Sequence, residues 1–163
     1  MDEHNLEKRT LERAAIRLFV NLYNLRSRPK LRLLYQQEKP DAVLEDEKRR
    51  KLGMEITHLF YDQQEAMMLM GRFSGQHAPE SMEHLVGRLN ELIRRKEEKK
   101  KSYMPDFPIS LLIRNTSPVF GLTEFMKSRE LIYEPKGVFQ DIWFLTHDGS
   151  ADWFLLHLNE LKG

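Results

Sequence analysis

The sequence contains no cysteine, and this absence removes several kinds of chemistry at once. Without cysteine the chain cannot form disulfides, thiolate zinc sites or a cysteine nucleophile. Any catalytic or binding chemistry must therefore rest on carboxylates, lysines, histidines, hydroxyls or a metal ion held by oxygen atoms.

The sequence also lacks a long apolar run and a strong excess of one charge. No segment predicts a membrane span or a signal peptide, so we expect a cytoplasmic protein with no membrane partner. The formal net charge is +1, so the overall charge does not indicate nucleic-acid binding. Basic residues cluster locally instead, at 26–32, 48–51 and 94–101. Each cluster is either a solvated face or a surface that contacts phosphates.

The length and composition fit one soluble domain that spans residues 1–163. Hydrophobic residues make up 40% of the chain and charged residues 31%, and no repeat or linker divides it. The residue patterns predict an α/β fold with a mixed central sheet flanked by helices. We predict helices at 3–26, 62–70, 82 to before Pro105 and 123–131, and strands at 31–36, 108–114, 139–146 and 153–158, with a strand hairpin within 41–59 and a loop at 72–79.

The hairpin at 41–59 is the most informative segment, because its predicted register opposes two carboxylates. The register pairs Asp41 with Glu55, Ala42 with Met54, Val43 with Gly53, Leu44 with Leu52 and Glu45 with Lys51. One face then carries Ala42, Leu44, Leu52, Met54 and Ile56, and the other carries Asp41, Val43, Glu45, Gly53, Glu55 and Thr57. Like charges side by side destabilise a sheet unless a cation or a shared proton compensates. Either this register is therefore wrong, or a metal ion binds between the two opposed carboxylates.

The segments Pro40-Asp41 and Glu55-Ile56-Thr57, in this order of elements, resemble the PD-(D/E)XK nuclease superfamily. The resemblance covers roughly residues 3–115 and implies a restriction-endonuclease-like fold of three layers. It also implies hydrolysis of phosphodiester bonds, usually in DNA, with Mg²⁺ or Mn²⁺ held by Asp41, Glu55 and the backbone carbonyl of Ile56. Hard divalent cations prefer such oxygen ligands and lower the pKa of an attacking water.

Thr57 stands where the superfamily carries a lysine, and a hydroxyl supplies no positive charge. Projected at about 100° per residue, Lys96 and Lys100 continue the apolar stripe of the helix that begins near residue 82, whereas Lys99 falls toward its edge. Some branches of the superfamily are similar in carrying the lysine on this helix, so Lys96, and after it Lys100, is the candidate for stabilising charge on the phosphate. Alternatively, these lysines only complement the helix dipole and extend into solvent.

The resemblance further implies a glutamate on the opening helix that holds a metal-bound water. Glu12 is preferred to Glu7 because it lies within the apolar segment of that helix rather than near its end. Either residue is otherwise an ordinary surface glutamate. His58 alternates onto the apolar face of its strand, which favours a structural role.

The sequence thus predicts a small metal-dependent nuclease that acts on nucleic acid, with DNA as the expected substrate. Two alternatives stay open. One is a degenerate protein of the same fold that binds nucleic acid or protein without cutting. The other is an interaction domain in which Asp41 caps a turn and Glu55 pairs with a lysine. The oligomeric state is open, a homodimer included.

Overall fold

A computed structural model describes residues 3–60, 81–102 and 105–162. The helices are α1 (Glu3–Arg26), α2 (Met82–Lys100) and α3 (Leu122–Lys127), and the strands are β1 (Leu31–Gln36), β2 (Ala42–Asp46), β3 (Lys51–Leu59), β4 (Ile109–Asn115), β5 (Ile142–His147) and β6 (Trp153–His157). Short 3₁₀ helices occur at Arg129–Leu131 and Leu158–Glu160. The helix predicted at 62–70 and the loop predicted at 72–79 lie outside the described residues.

The six strands form one mixed sheet in which they stand in chain order. The β1–β2, β2–β3 and β5–β6 pairs are antiparallel, and the β3–β4 and β4–β5 pairs are parallel. Parallel neighbours require a crossover connection, and α2 lies in the connection from β3 to β4. The predicted α/β architecture with a mixed sheet is confirmed at this level.

Each face of the sheet is covered by helices, which creates two separate apolar cores. On one face, α1 buries Ala15, Ile16 and Phe19 against the sheet; on the other face, α2 and α3 bury Leu89 and Phe125. The central strand β4 contributes to both cores, which explains its nearly continuous apolar sequence. None of the described helices is long and apolar enough to span a bilayer.

The hairpin of β2 and β3 has the predicted register. Val43 lies opposite Gly53, Leu44 opposite Leu52, Ala42 opposite Met54 and Glu45 opposite Lys51. A side chain on Gly53 would collide with Ile109 and Pro40, which accounts for a glycine within this strand. Leu52 is only half-buried, because it lies near the end of β3, whereas Leu44 and Met54 are fully buried.

Specific hydrogen bonds mark the ends of the helices. The backbone N–H of His84 donates to the Ser81 hydroxyl at 3.3 Å, which makes Ser81 the N-cap of α2. The helix predicted at 123–131 is instead split into α3 and a 3₁₀ turn. Asn90 holds the end of this segment: it donates to the carbonyl of Leu131 at 2.8 Å and accepts from the backbone N–H of Tyr133 at 2.7 Å. The chain is thereby held against α2.

The packing predicts that Leu44→Ala destabilises the protein strongly. Leu44 is fully buried between the sheet and α1, and truncating such a side chain costs about 2 to 5 kcal/mol. The matched control is Leu25→Ala, since Leu25 is 76% exposed. Urea unfolding measures both free energies. Equal, small losses in the two variants would contradict the position of the hairpin under α1.

Candidate functional site

A cavity of about 420 Å³ lies where the β2–β3 hairpin meets the first half of α1 and the last turn of α2. Every residue that the sequence nominates for the site lies on its wall: Glu12, Asp41, Glu55, Ile56, Thr57, Lys96 and Lys100. These residues come from four different elements or their ends. Their meeting at one cavity is therefore a property of the fold and not of any one segment.

Asp41 is held in place by the backbone of β3. It lies just before β2, and its Oδ2 accepts a hydrogen bond of 2.8 Å from the N–H of Ile56. The side chain is only 7% exposed. Burial raises the pKa of Asp41 to about 6, the Ile56 N–H opposes that rise, and the charge of Glu55 adds to it. The predicted proximity of Asp41 to Glu55 is thus present in the structure.

Glu12 reaches the cavity from α1, because it shares the buried helix face of Ala15, Ile16 and Phe19. Glu12 is 3% exposed, and its Oε2 has no hydrogen-bond partner in the described part of the chain. Burial raises its pKa to about 7, and the charge of Asp41 contributes to the rise. A buried oxygen without a donor is costly, so this position favours a proton or a cation.

The last turn of α2 supplies lysines to the cavity. Lys96 and Lys100 are half-buried on its wall, whereas Lys99 is exposed. Lys99 nevertheless lines the cavity as well, contrary to its predicted place at the edge of the stripe. A lysine stem is long and flexible, so a side chain at the edge of a helix face can still reach the rim.

Glu97 anchors this turn of α2, and sequence reasoning missed it. Its carboxylate is buried and accepts hydrogen bonds from the Tyr133 hydroxyl at 2.7 Å and from the backbone N–H of Lys136 at 3.1 Å. These bonds tie the end of α2 to the segment before β5. Lys96 and Lys100 on the same turn are positioned by that anchor.

Sequence reasoning also missed three charged residues on the wall, Lys8, Glu38 and Lys39. Lys8 is one helical turn before Glu12, so the spacing of the two residues in the sequence was a usable signal. Glu38 and Lys39 directly precede Pro40-Asp41 in the chain. Five lysines and four acidic residues thus surround the cavity within the described residues.

His58 lies on the α1 face of β3 as predicted, yet it also lines the cavity. Neither ring nitrogen has a hydrogen-bond partner in the described ranges. Burial and, after it, the positive charge of Arg114 on the neighbouring strand together lower the pKa of His58 to about 4. The imidazole is therefore neutral at physiological pH.

The oxygen-rich wall suits a hard divalent cation, although its carboxylates are not gathered tightly. Glu12, Asp41 and Glu55 interact electrostatically, but no group of three acidic or histidine side chains in residues 3–60, 81–102 and 105–162 is close enough to hold a metal. The unpartnered Oε2 of Glu12 is nevertheless an oxygen in need of a positive partner. The residues present fit such a cation by donor chemistry.

Searches against protein-family models, curated proteins and solved structures find no match to this chain.

The buried carboxylate of Glu12 predicts a pH-dependent gain in stability for Glu12→Gln in metal-free protein. The folded-state pKa of about 7 exceeds the ordinary value of 4.5. The contribution of Glu12 to stability is therefore complete below the lower pKa and is lost as the pH rises through the upper one. Glutamine does not ionise, so the variant should gain on the order of 2 to 3 kcal/mol at pH 8 and well under half of that at pH 5.

Urea unfolding in a chelating buffer at the two pH values measures this gain. Glu134→Gln is the control, because Glu134 is exposed and lies outside the cavity. A gain for Glu12→Gln that is the same at pH 5 and pH 8 would show that Glu12 does not titrate in this range.

Proposed function

We propose that this protein is a metal-dependent nuclease of the restriction-endonuclease-like type that hydrolyses phosphodiester bonds, with DNA as the expected substrate. The observation that carries the proposal is that Asp41, Glu55 and Glu12 meet Lys96 at one cavity. The superfamily resemblance implies Asp41 and Glu55 as metal ligands. It is also the reason for assigning a role to Glu12 and Lys96. The coming together of residues so far apart in the chain supports the resemblance independently of the short motif.

The order of the elements supports the same proposal. From α1 to β4 the chain forms a helix, three antiparallel strands, a helix and a parallel strand. The superfamily resemblance predicts this order for residues 3–115. The helix layers on both faces of the sheet agree with a three-layer, restriction-endonuclease-like arrangement.

Mg²⁺ or Mn²⁺ is the cofactor that suits the donor set. Asp41, Glu55 and the backbone carbonyl of Ile56 would hold it, with Glu12 available through its unpartnered oxygen. The chemistry supplied by a cation there is neutralisation of the phosphate charge and acidification of a bound water. Because three side chains do not converge in the described residues, backbone and water oxygens would complete the coordination.

The chain's own side chains have distinct roles in this proposal. Lys96, half-buried on the cavity wall, stabilises the negative charge that develops on the phosphate, and Lys100 supports it. Glu12, buried on the cavity wall, holds and orients the attacking water through its unpartnered oxygen. Thr57 lines the cavity and offers a hydroxyl as a hydrogen-bond donor, but it carries no charge.

Local charge supports a nucleic acid as the partner. Among the described residues, lysines outnumber acidic residues on the cavity wall by five to four, a balance that favours phosphate groups at the rim. The turn between β2 and β3, at the other end of the hairpin from Asp41, adds the exposed residues Lys48 and Arg49. On a long nucleic acid these two residues would contact phosphates without reading base sequence.

The test is cleavage of supercoiled and single-stranded DNA, and of RNA, with Mn²⁺. Asp41→Asn and Glu55→Gln should abolish cutting. Lys96→Ala should reduce the rate by about a hundredfold while leaving folding intact, because it removes charge stabilisation from the transition state. Lys101→Ala is the matched control, since Lys101 is exposed at the end of the same helix and does not line the cavity.

Three outcomes separate the alternatives. Cutting that survives in Glu55→Gln would contradict the assigned site. Cutting that depends on Glu55 but not on Lys96 or Lys100 would contradict the role given to the helix lysines. The assignment as a nuclease would stand. A wild-type protein that binds DNA or RNA but cuts none of the substrates would favour the degenerate binding module, which the threonine at position 57 would explain.

A further inference from the structure

Lys8 occupies a position that the proposed function does not use. It lies on α1 four residues before Glu12, on the same side of the helix. It lines the main cavity and also a smaller neighbouring cavity of about 130 Å³. Glu12 and Asp41 line both cavities as well. Lys8 therefore shares two cavities with the two buried carboxylates.

The positive charge of Lys8 acts on both carboxylates without forming an ion pair with either. It lowers the pKa of Glu12 and of Asp41, and its effect on Asp41 exceeds that of Lys96. Among the described residues, however, no oxygen of an acidic side chain is in ion-pair distance of either ammonium group. As far as the described residues go, two ammonium groups near the same carboxylates carry no ion pair and can bind an anion.

The two lysines approach the cavity from different helix layers. Lys8 is carried by α1, which packs on one face of the sheet, and Lys96 by α2, which packs on the other. The cavity that both lysines line also contains Asp41 and the almost completely buried Glu12, whose Oε2 has no hydrogen-bond partner among the described residues. The arrangement combines oxygens that need a cation with ammonium groups that can hold an anion.

We propose that Lys8 is a second anion-binding residue of the cavity, which grips a phosphate group together with Lys96 while the carboxylates hold a divalent cation. The proposal rests on the proposed function for its metal ligands. It adds that the cation and the phosphate bind cooperatively, because each lowers the electrostatic cost of the other. The positive charge that the threonine at position 57 does not supply comes, on this view, from both helix layers.

The test measures the binding of inorganic phosphate by ³¹P NMR and by thermal shift, with and without Mg²⁺. Wild type should bind phosphate more tightly when Mg²⁺ is present. Lys8→Met and Lys96→Met should each weaken that binding by about tenfold, as expected for the loss of a hydrogen bond to a charged group. Lys8→Arg should restore most of the affinity, because it keeps the charge.

Arg17→Met is the matched control, since Arg17 is an exposed cation on the same helix and lies outside both cavities. Unchanged phosphate affinity in a folded Lys8→Met variant would overturn the proposal, and so would phosphate binding by wild type that ignores Mg²⁺. The readout needs no turnover. A protein that cuts no nucleic acid but loses phosphate affinity in Lys8→Met would therefore contradict the proposed function and retain the role of Lys8.

Discussion

The hydrogen bond from the Ile56 N–H to Asp41 is the interaction on which the candidate site depends. β2 begins only at Ala42, so the backbone donor of Ile56 has no strand partner at that level, and the Asp41 carboxylate takes its place. This bond fixes an acidic side chain beside Glu55 in a setting where burial and like charge both oppose ionisation. The rest of the site, from Glu12 to the lysines of α2, is arranged around that buried charge.

The same arrangement lowers the stability of the fold. Such a loss of stability is common at functional sites. Glu12 and Asp41 are nearly inaccessible to solvent and interact unfavourably with each other. Replacing them with neutral side chains of similar shape would relieve that strain in the absence of a ligand. A chain that keeps such residues together retains an electrostatic cost that the Ile56 N–H and the nearby lysines offset in part, and that a bound proton or cation would offset further.

The sequence predicted those features that depend on local periodicity. Alternation along 41–59 gave the register of β2 and β3, because a slip of one residue would have moved Leu44 and Met54 out of the core. Helical spacing likewise placed Glu12 on the buried face of α1. Both predictions needed only the repeat of a strand or a helix and the requirement that one face of the element be apolar.

Features that depend on tertiary contacts were beyond that reasoning. The helical segment that was predicted at 123–131 is held at its end by Asn90, which is more than thirty residues away in the chain. The anchor of Glu97 to Tyr133 is equally distant. The place of Lys8 on the cavity wall became visible only when α1 was packed beside the hairpin, although its spacing from Glu12 was present in the sequence.

The central claim, that the carboxylates around Asp41 form a cation site, is tested most directly by thermal melts across a titration of Mn²⁺. A ligand that binds only the folded state stabilises it by roughly 2.7 kcal/mol at a hundredfold excess over its dissociation constant. The melting temperature of the wild type should rise with Mn²⁺ as this stabilisation requires, and the melting temperature of Asp41→Asn should not. An identical response of the two proteins to Mn²⁺ would contradict the account.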